Sequence, residues 1–372
     1  MSHCVLDVRT ASDHFPGIGR YAVNLARALA KVSPDLHLSL LRNPSAATRL
    51  ALPDLPRIDC PASPFSLRQQ WIVPQQLRNL QATLYHSPYY LMPYVPGVSA
   101  VFTCHDLIPL RYPQYFSAAQ RLIYRLAHIL ALKAASMTIA VSRATRADLM
   151  RCFRPVPQRV VVIPEAADAH FAPQLPERIN ALRIKYALPE QYVLYFGSNK
   201  PHKNIVGLVK ACKILNIKHQ ISNVKLVVAG HWDERYPEAM RIVEESDLRD
   251  QVVFLGPVDE ADLPALYSGA VLFAFPTLCE GFGLPVLEAM ACGTPVVCSS
   301  ISSLPEVAGD AALLVNPLEI DELAQAIGQL WSDEELRKDM RARGLAQAAR
   351  FSWEQTARET LTVYEQCAWR KT

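Results

Sequence analysis

The alternation of short apolar runs with longer amphipathic stretches constrains the fold of this chain more than any other feature. In the first half, runs such as "VLDV", "AVFTCHD" and "MTIAVS" alternate with stretches such as "RYAVNLARALAKV", in which apolar residues recur at helical spacing. A short apolar run is typical of a strand that is buried on both faces. Strands that alternate with helices form right-handed crossover units, which build a parallel, doubly wound α/β sheet.

A proline-rich stretch without a clear strand separates two such series. It runs from Pro164 to about residue 191. Because 372 residues exceed the usual size of a single core, we expect two domains. The predicted boundaries are residues 1–168 for the first Rossmann-like domain, 169–190 for a linker and 191–351 for the second. In open sheets of this kind, ligands bind beyond the carboxyl ends of the strands, so motifs that follow strands are the candidates for a site.

The composition excludes several classes of protein. Half of the residues are hydrophobic and the net charge is only +3, which is typical of a globular protein and gives no reason to expect a nucleic-acid partner. The nine cysteines are irregularly spaced and form no C-x-x-C pair, which argues against a disulfide framework or a zinc site. The N-terminus lacks the pattern of a signal peptide, and no apolar run is long enough for a bilayer. We therefore expect a cytoplasmic protein.

The segment "CEGFGLPVLEAMACGTPVV" carries the strongest motif in the chain. It follows the apolar run "VLFAFPT", and Pro285 is favoured at the first position of a helix, so a helix is expected to start there. The N–H groups at a helix start lack intrahelical acceptors, and together with the helix dipole they form an anion site suited to a phosphate. Gly281 and Gly283 would let the backbone approach such a ligand closely.

Two carboxylates flank this turn at different depths. Glu280 is expected at the strand tip, facing the ligand. Glu288 is expected about one turn into the helix, where a carboxylate can accept hydrogen bonds from a diol such as a ribose. For Glu288 alone, a purely structural role is an equal alternative to ribose binding: its carboxylate would complement the helix dipole at a tight strand–helix turn.

The motif resembles the E-x7-E region of retaining glycosyltransferases with the GT-B fold, in particular glycosyltransferase family 4. The segments "AVSRATRADL", "IPEAAD", "YVLYFGSNKPHKNI" and "VVFLGPV" resemble further landmarks of that family in the same order. The resemblance covers essentially the whole chain and implies two Rossmann-like, doubly wound domains facing each other across a cleft. It also implies that the last helix, residues 352–368 with Ser352 as its N-cap, packs back on the first domain.

The resemblance also implies roles for single residues, most of them toward a nucleoside-diphosphate sugar held by the second domain. Glu280 would contact hydroxyl groups of the donor sugar, Glu288 the ribose and Lys203 the diphosphate. The backbone N–H groups of Gly283 and Leu284 would bind the phosphates. Without the other motifs, a solvated lysine at the start of a helix would be the simpler interpretation of Lys203.

Two further segments bear on how the base and the phosphates of the donor would be bound. Pro257 and Val258 lie where the backbone of the family reads the base. Ser198 stands where the family often has an arginine, so one of the cationic side chains expected to bind the phosphates is missing. Lys200 and His202 are the two candidates to replace it.

In the first domain, His105 resembles the histidine with which the family reaches the donor sugar. Gly17, Gly19 and Ala22 fit the weak dinucleotide fingerprint G-x-G-x-x-A. However, the glycines do not directly follow the strand, and the next strand does not end in an acidic residue. The resemblance instead implies a glycine loop that borders the donor phosphate and the acceptor.

The implied reaction moves a hexose from a nucleoside-diphosphate sugar to a saccharide acceptor with retention of the anomeric configuration. UDP-hexose and GDP-mannose both remain open as donors, and a lipid-linked acceptor in surface polysaccharide biosynthesis is one option. We expect no cofactor, and no metal because no D-x-D motif is placed as a ligand. A nucleotide-sugar epimerase is the alternative enzyme. A catalytically silent nucleotide-sugar binding protein is a further alternative, disfavoured by the presence of Glu280 and Lys203.

A peripheral membrane contact is a further expectation for the first domain. Basic residues lie beside the apolar stretch "FSAAQRLIYRLAHIL", namely Arg111, Arg121, Arg125 and Lys133. A solvated helix face would explain the same pattern. The chain could thus act at the inner face of the membrane.

Overall fold

The computed structural model describes residues 3–11, 16–45, 50–218 and 224–369. The chain divides into two compact units, one formed by Met1–Glu165 with Ser352–Thr372 and the other by Ala166–Phe351. The predicted linker is therefore not a separate segment: residues 169–190 belong to the second unit and contain a helix, Pro176–Tyr186. Proline at the start favours this helix, but only Leu182 within it is buried, so the sequence shows no apolar period.

The first unit is built on a seven-stranded sheet. Its neighbouring strands run parallel in the order β3-β2-β1-β4-β5-β6-β7. The strands are β1 His3–Asp7, β2 His37–Arg42, β3 Arg57–Asp59, β4 Leu84–Ser87, β5 Ser99–Cys104, β6 Met137–Ala140 and β7 Val160–Val162. Strands β1, β4, β5 and β6 are buried along their whole length, including the polar residues that each of them contains.

The helices of the first unit cover this sheet. They are α1 Pro16–Val32, α2 Gln69–Asn79, α3 Ile108–Arg111, α4 Ala118–Ala134, α5 Arg143–Phe153 and, from the end of the chain, α14 Trp353–Trp369. Ser352 caps α14 as predicted, since its hydroxyl accepts a hydrogen bond from the Gln355 N–H at 3.1 Å. No helix among the described residues combines the length and the apolar character needed to cross a bilayer.

Helix α14 is joined to the strands of the first unit by polar contacts as well as by packing. The hydroxyl of Tyr364 lies 2.7 Å from Nδ1 of His86, which is buried in β4. The hydroxyl of Thr356 donates to the carbonyl of Pro164 at 2.8 Å. The C-terminal helix is thus a structural part of the first unit, although the whole second unit separates the two in sequence.

The second unit is built on a six-stranded sheet of parallel neighbours in the order β10-β9-β8-β11-β12-β13. The strands are β8 Val193–Phe196, β9 Leu226–Ala229, β10 Val252–Gly256, β11 Leu272–Phe275, β12 Val296–Ser299 and β13 Ala312–Val315. The helices are α6 Pro176–Tyr186, α7 Ile205–Lys218, α8 Glu238–Glu245, α9 Leu263–Ser268, α10 Leu284–Ala291, α11 Leu304–Ala308, α12 Ile320–Ser332 and α13 Glu334–Ala348.

The strand order of the second sheet reverses between β8 and β11. These two strands are neighbours in space, but the chain leaves them toward opposite sides of the sheet. In a doubly wound sheet the loops part at this position and leave a crevice at the carboxyl ends, where ligands bind. Both loops carry residues that the sequence predicts to be functional.

Candidate active site

Lys203 and Glu280 meet at the point where the strand order of the second sheet reverses. Lys203 follows β8 and Glu280 follows β11, and the lysine Nζ lies 2.7 Å from a carboxylate oxygen of the glutamate. The two side chains are 18% and 11% exposed, so the pair is partly shielded from water. Lys203 also lies over the ring of Phe275, at 5.3 Å from its centroid. The site therefore offers a cation and a carboxylate within one hydrogen bond of each other.

The loop that carries Lys203 is fixed by its neighbours. A short 3-10 turn, Pro201–Lys203, ends at Asn204, which adopts a left-handed conformation with φ of 57°. The amide of Asn204 donates to the carbonyls of Pro276 and Pro317 at 3.0 and 2.7 Å. The N–H of Leu278 donates to the carbonyl of His202 at 2.7 Å. The loops after β8 and β11 are thus tied together at the backbone.

Of the two candidates to replace the missing phosphate-binding cation, the surroundings of His202 favour Lys200. Its side chain is buried. Burial, followed by the charges of Lys203 and Lys200, lowers the pKa of His202 to about 3. His202 is therefore neutral near pH 7, whereas Lys200 is exposed. The sequence could not distinguish them, because burial within a short polar loop leaves no periodic pattern.

The glycine turn leads into α10 one residue earlier than predicted, since the helix begins at Leu284 and Pro285 is its second residue. Gly283 is the N-cap residue and has a φ of +116°, which a side chain disfavours. A Cβ atom at this position would lie 2.5 Å from Cδ2 of Leu304. The carbonyl of Gly283 accepts the N–H of Val286 at 3.0 Å. The N–H of Leu284 lies in the first turn, where a helix supplies no acceptor of its own.

Glu288 lies deeper than the sequence indicated. It is 2% exposed, and its Oε2 accepts a hydrogen bond from the hydroxyl of Tyr267 at 3.0 Å. The carboxylate is thus held from inside the unit, by α9. Its predicted contact with a ribose stays a prediction.

The residues predicted to border the base lie at the carboxyl ends of the neighbouring strands. Pro257 is exposed and Val258 half-buried, directly after β10. Ser198 is half-buried after β8, and its carbonyl accepts the hydroxyl of Tyr195 at 2.8 Å. A cavity of about 130 Å³ opens at the ends of β8, β9 and β10, with Trp232 and Gly256 among its lining residues.

Sequence reasoning missed Asn199, which organises the loop beside this cavity. Its amide nitrogen donates to the carbonyls of Asp233 and Tyr236, both at 2.8 Å. Its amide oxygen accepts the N–H of Asp233 at 2.7 Å. A buried asparagine that satisfies three backbone groups fixes a loop firmly, but a single polar letter in a polar segment gives no sign of it.

In the first unit, His105 follows β5 directly and is held by a carboxylate that sequence reasoning did not assign. Its Nδ1 lies 2.9 Å from Oε1 of Glu165, which is 4% exposed. The ring of Tyr21 contacts the imidazole edge-on, with the centroids 4.8 Å apart. The sequence feature that could have identified Glu165 is its position after a strand, within the family landmark "IPEAAD".

The prediction that Gly17 and Gly19 form a loop in the first unit is wrong, because both glycines lie in the first turn of α1. Pro16 starts this helix, as proline favours. A Cβ atom on Gly19 would lie 3.0 Å from the carbonyl oxygen of Thr10, so this glycine permits close packing of the helix start. Gly17 has open space around it. Residues 12–15 lie outside the described residues.

In the part of the chain that the structure describes, no group of three or more histidine, cysteine, aspartate or glutamate side chains is placed to bind a metal ion. The expected independence of a metal nevertheless stays a prediction.

Two doubly wound units, with a lysine–glutamate pair and a glycine-started helix at the switch point of the second, define a glycosyltransferase of the GT-B class. Residues 16–171 match the family described as Glycosyltransferase Family 4, and residues 180–347 match the family described as Glycosyl transferases group 1. O-antigen chain mannosyltransferase B of Escherichia coli is 33% identical over 368 residues, which cover 94% of this chain and 96% of the relative. The chain belongs to glycosyltransferase family 4, as the E-x7-E motif predicted.

Solved structures confirm the predicted fold. The sucrose-phosphate synthase from Thermosynechococcus elongatus superposes with a TM-score of 0.78 at 24% identity, over 98% of this chain and 99% of that one. HepE from Anabaena, solved in complex with UDP and glucose, has the same TM-score at 21% identity, over 98% of this chain and 100% of that one. At these identities the likeness shows the GT-B fold.

Proposed function

We propose that this chain transfers a hexose from a nucleoside-diphosphate sugar to a saccharide acceptor in polysaccharide biosynthesis. The observation that carries the proposal is the contact of 2.7 Å between Lys203 and Glu280 at the switch point of the second sheet. In the donor, the diphosphate is bonded directly to the sugar. A cation suited to the diphosphate and a carboxylate suited to the sugar hydroxyls, one hydrogen bond apart, match that junction.

Mannose is the hexose that we propose, with GDP-mannose as the donor of the two left open by the sequence. The support is the relative from Escherichia coli, which is named as a mannosyltransferase and is similar over nearly the full length of both chains. Thermal unfolding with GDP, GDP-mannose, UDP and UDP-glucose tests this choice, because a ligand that binds the folded state raises the melting temperature by mass action. A larger rise with UDP-glucose than with GDP-mannose would contradict it.

For the chemical step we propose front-face substitution with retention. The bond between the anomeric carbon and the diphosphate oxygen breaks, and an acceptor hydroxyl attacks from the same face and passes its proton to the leaving phosphate oxygen. The N–H groups of Gly283 and Leu284 and the ammonium of Lys203 stabilise the charge that develops on the leaving group. Lys203 turns to the diphosphate, and Glu280 is then available to accept hydrogen bonds from sugar hydroxyls.

We propose that one face of α4 contacts the membrane surface. Leu122, Ile123 and Leu126 on this helix are 57%, 64% and 50% exposed. Arg125 and Lys133 on the same helix are exposed as well, while Arg111 is engaged by Asp148 at 3.0 Å. Apolar side chains with neighbouring cations suit the surface of an anionic bilayer, where a lipid-linked saccharide acceptor would be presented.

Sedimentation with lipid vesicles tests this face. The chain should sediment with phosphatidylglycerol vesicles and much less with phosphatidylcholine vesicles. The double substitution Leu122→Ser and Ile123→Ser should reduce sedimentation with the anionic vesicles. Ile184→Ser is the matched control, since Ile184 is equally apolar and 84% exposed, but lies on α6 of the second unit. Equal sedimentation of the double variant and the wild type would contradict the proposal.

A further inference from the structure

His105 carries a ring nitrogen that the protein itself does not satisfy. Its Nε2 is buried and has no hydrogen-bond partner among the described residues. A buried polar atom without a partner is costly, and such atoms are rare in folded proteins. The side chain as a whole keeps 15% of its surface exposed, so it borders the surface of the unit. The structure thus leaves one hydrogen-bonding position for a ligand.

The rest of the ring is held from several directions. The carboxylate of Glu165 lies 2.9 Å from Nδ1, and Tyr21 contacts the ring edge-on. The hydroxyl of Thr145 donates to the backbone carbonyl of His105 at 3.2 Å. Tyr21 is itself held by Thr103, whose hydroxyl oxygen lies 3.0 Å from that of the tyrosine. The imidazole therefore has little freedom to rotate.

Glu165 has an environment suited to orienting another group. Its side chain is 5% exposed, so its hydrogen bond to His105 faces little competition from water. A carboxylate at this distance accepts a hydrogen bond from the N–H of the ring, which makes Nδ1 the protonated position. In a neutral imidazole the other nitrogen then carries a lone pair and can only accept a hydrogen bond.

We infer that Glu165 is a positioning residue: it fixes His105 in the Nδ1–H tautomer, so that Nε2 accepts a hydrogen bond from a hydroxyl of a saccharide substrate. The inference rests on the proposed function for the identity of the ligand. Its structural part, the tautomer and its dependence on Glu165, stands on the geometry of the first unit alone. Sugar hydroxyls donate hydrogen bonds readily, and an acceptor with no other partner favours a ligand that presents one.

Nitrogen-15 NMR of the chain with labelled histidines measures the tautomer directly, because protonated and unprotonated ring nitrogens differ strongly in chemical shift. At a pH where His105 is neutral, the wild type should show a protonated Nδ1 and an unprotonated Nε2. Glu165→Gln should yield a mixture of tautomers, since an amide offers both a donor and an acceptor. Glu165→Asp should retain part of the wild-type pattern because it keeps the carboxylate.

The same spectra contain an internal reference and allow a matched control. His128 is buried, and its Nδ1 lies 2.9 Å from the carbonyl of Tyr124, so its signals should not change with Glu165. Glu354→Gln alters a carboxylate of the same unit that pairs with Lys31 at the surface, and should leave His105 unchanged. The signals of His105 are assigned from their loss in His105→Asn.

Transfer kinetics distinguish a role of Glu165 in orienting His105 from a role in stabilising the fold alone. Glu165→Gln should lower the transfer rate at least about tenfold, as expected when the partner that orients a functional imidazole is lost. The affinity for the nucleoside diphosphate should be unchanged, and Glu165→Asp should recover part of the rate. A purely structural carboxylate would instead lower the melting temperature and leave the rate per folded molecule unchanged.

The outcomes distinguish this inference from the proposed function. If His105 carries its proton on Nε2 in the wild type, or if Glu165→Gln leaves both the tautomer and the rate unchanged, the inference is wrong. If the tautomer changes but the rate of transfer does not, His105 does not serve the reaction and the inference is overturned. Failure of the wild type to release nucleotide from any donor would refute the proposed function, and the NMR result would still decide the structural part.

Discussion

Glu280 and Lys203 neutralise each other in this structure, so each substitution also changes the state of the partner. Their contact of 2.7 Å is partly shielded from water, and removal of one member leaves the other charge without compensation. Substitutions at the two positions should therefore differ in their effect on nucleotide binding, although both should slow transfer.

Glu280→Gln should leave the affinity for the nucleoside diphosphate nearly intact, because Lys203 remains and is no longer neutralised. Transfer should slow by roughly 10²-fold or more, the scale seen when one preorganised polar group is lost. Calorimetry with the nucleotide and initial rates of transfer measure the two effects. Glu334→Gln is a control in the same unit at an exposed position, and loss of nucleotide binding in Glu280→Gln would contradict the assignment.

Lys203→Ala should weaken binding of the nucleoside diphosphate and remove most turnover, because in the role that we propose the ammonium supplies a charge-assisted hydrogen bond to the phosphates. Such bonds contribute about 1.5–3 kcal/mol. Binding of the nucleoside without phosphates should not change. Lys210→Ala removes an exposed lysine from the helix that follows and should have no effect, whereas equal diphosphate affinity in Lys203→Ala and the wild type would disprove the role.

Glu288→Ala should weaken nucleotide and nucleotide-sugar binding alike, by about 1.5–3 kcal/mol, if its carboxylate binds the ribose. Tyr267→Phe is the informative control, because it removes the inner hydrogen bond at 3.0 Å and leaves the carboxylate in place. That variant should lose stability rather than affinity. Titration calorimetry of both variants decides the matter, and unchanged affinity in Glu288→Ala would assign the residue to the core of the unit.

At the scale of elements, the start of α10 depends on a residue without a side chain. Gly283→Ala should cost about 1–2 kcal/mol for the left-handed conformation, and the added Cβ atom would also meet Leu304 at 2.5 Å. The first turn should shift, and the affinity for the diphosphate should fall with it. Gly97→Ala is the matched control, since Gly97 has a φ of +76° but open space around it. Equal diphosphate affinity in the two variants would show that this helix start does not bind phosphate.

Most elements of the fold could be predicted because the chemistry that forms them is local. Strands β9 and β11 are continuous apolar runs, and burial on both faces favours that pattern. Helix α6 escaped prediction because it buries little beyond Leu182. The glycines of α1 were misread as a loop because a G-x-G pattern fits a helix start as well as a turn, and the sequence does not show the close packing of Gly19 against Thr10.

The candidate site was predictable only in part, for a related reason. The E-x7-E motif is contiguous in sequence, and it led directly to Glu280 and Glu288. The partners of these residues are distant in sequence: Lys203 contacts Glu280 from the loop after β8, and Tyr267 contacts Glu288 from α9. Glu165 likewise reaches His105 from beyond β7. Contacts between loops of different strands depend on the sheet order, which no single segment encodes.

At the scale of the whole molecule, the last helix completes a unit that the chain began more than three hundred residues earlier, since α14 returns to the first sheet. Its aromatic side chains are integral to that unit: Trp353 contacts Tyr21, with the ring centroids 5.8 Å apart, and Tyr364 bonds to His86. The first unit therefore cannot complete its core until the second unit has been made.

Removal of the chain from Ser352 onward should lower the melting temperature of the first unit and abolish transfer, because buried apolar surface of α1 and β5 loses its cover. Thermal unfolding and transfer rates of the truncated and full chains measure both effects. Lys31→Ala, which breaks only the exposed pair with Glu354, should cost less than about 1 kcal/mol. A truncated chain with full activity and an unchanged melting temperature would contradict this role of α14.

The central claim, that the chain activates a nucleoside-diphosphate sugar for transfer with retention, can be tested before the acceptor is known. Slow transfer to water should release the sugar, and proton NMR recorded from the start of the reaction shows which anomer appears first. With GDP-mannose, measured with and without EDTA, GDP and α-mannose should appear together, and Glu280→Gln should suppress both. Initial release of β-mannose, or a rate that Glu280→Gln does not change, would contradict the account.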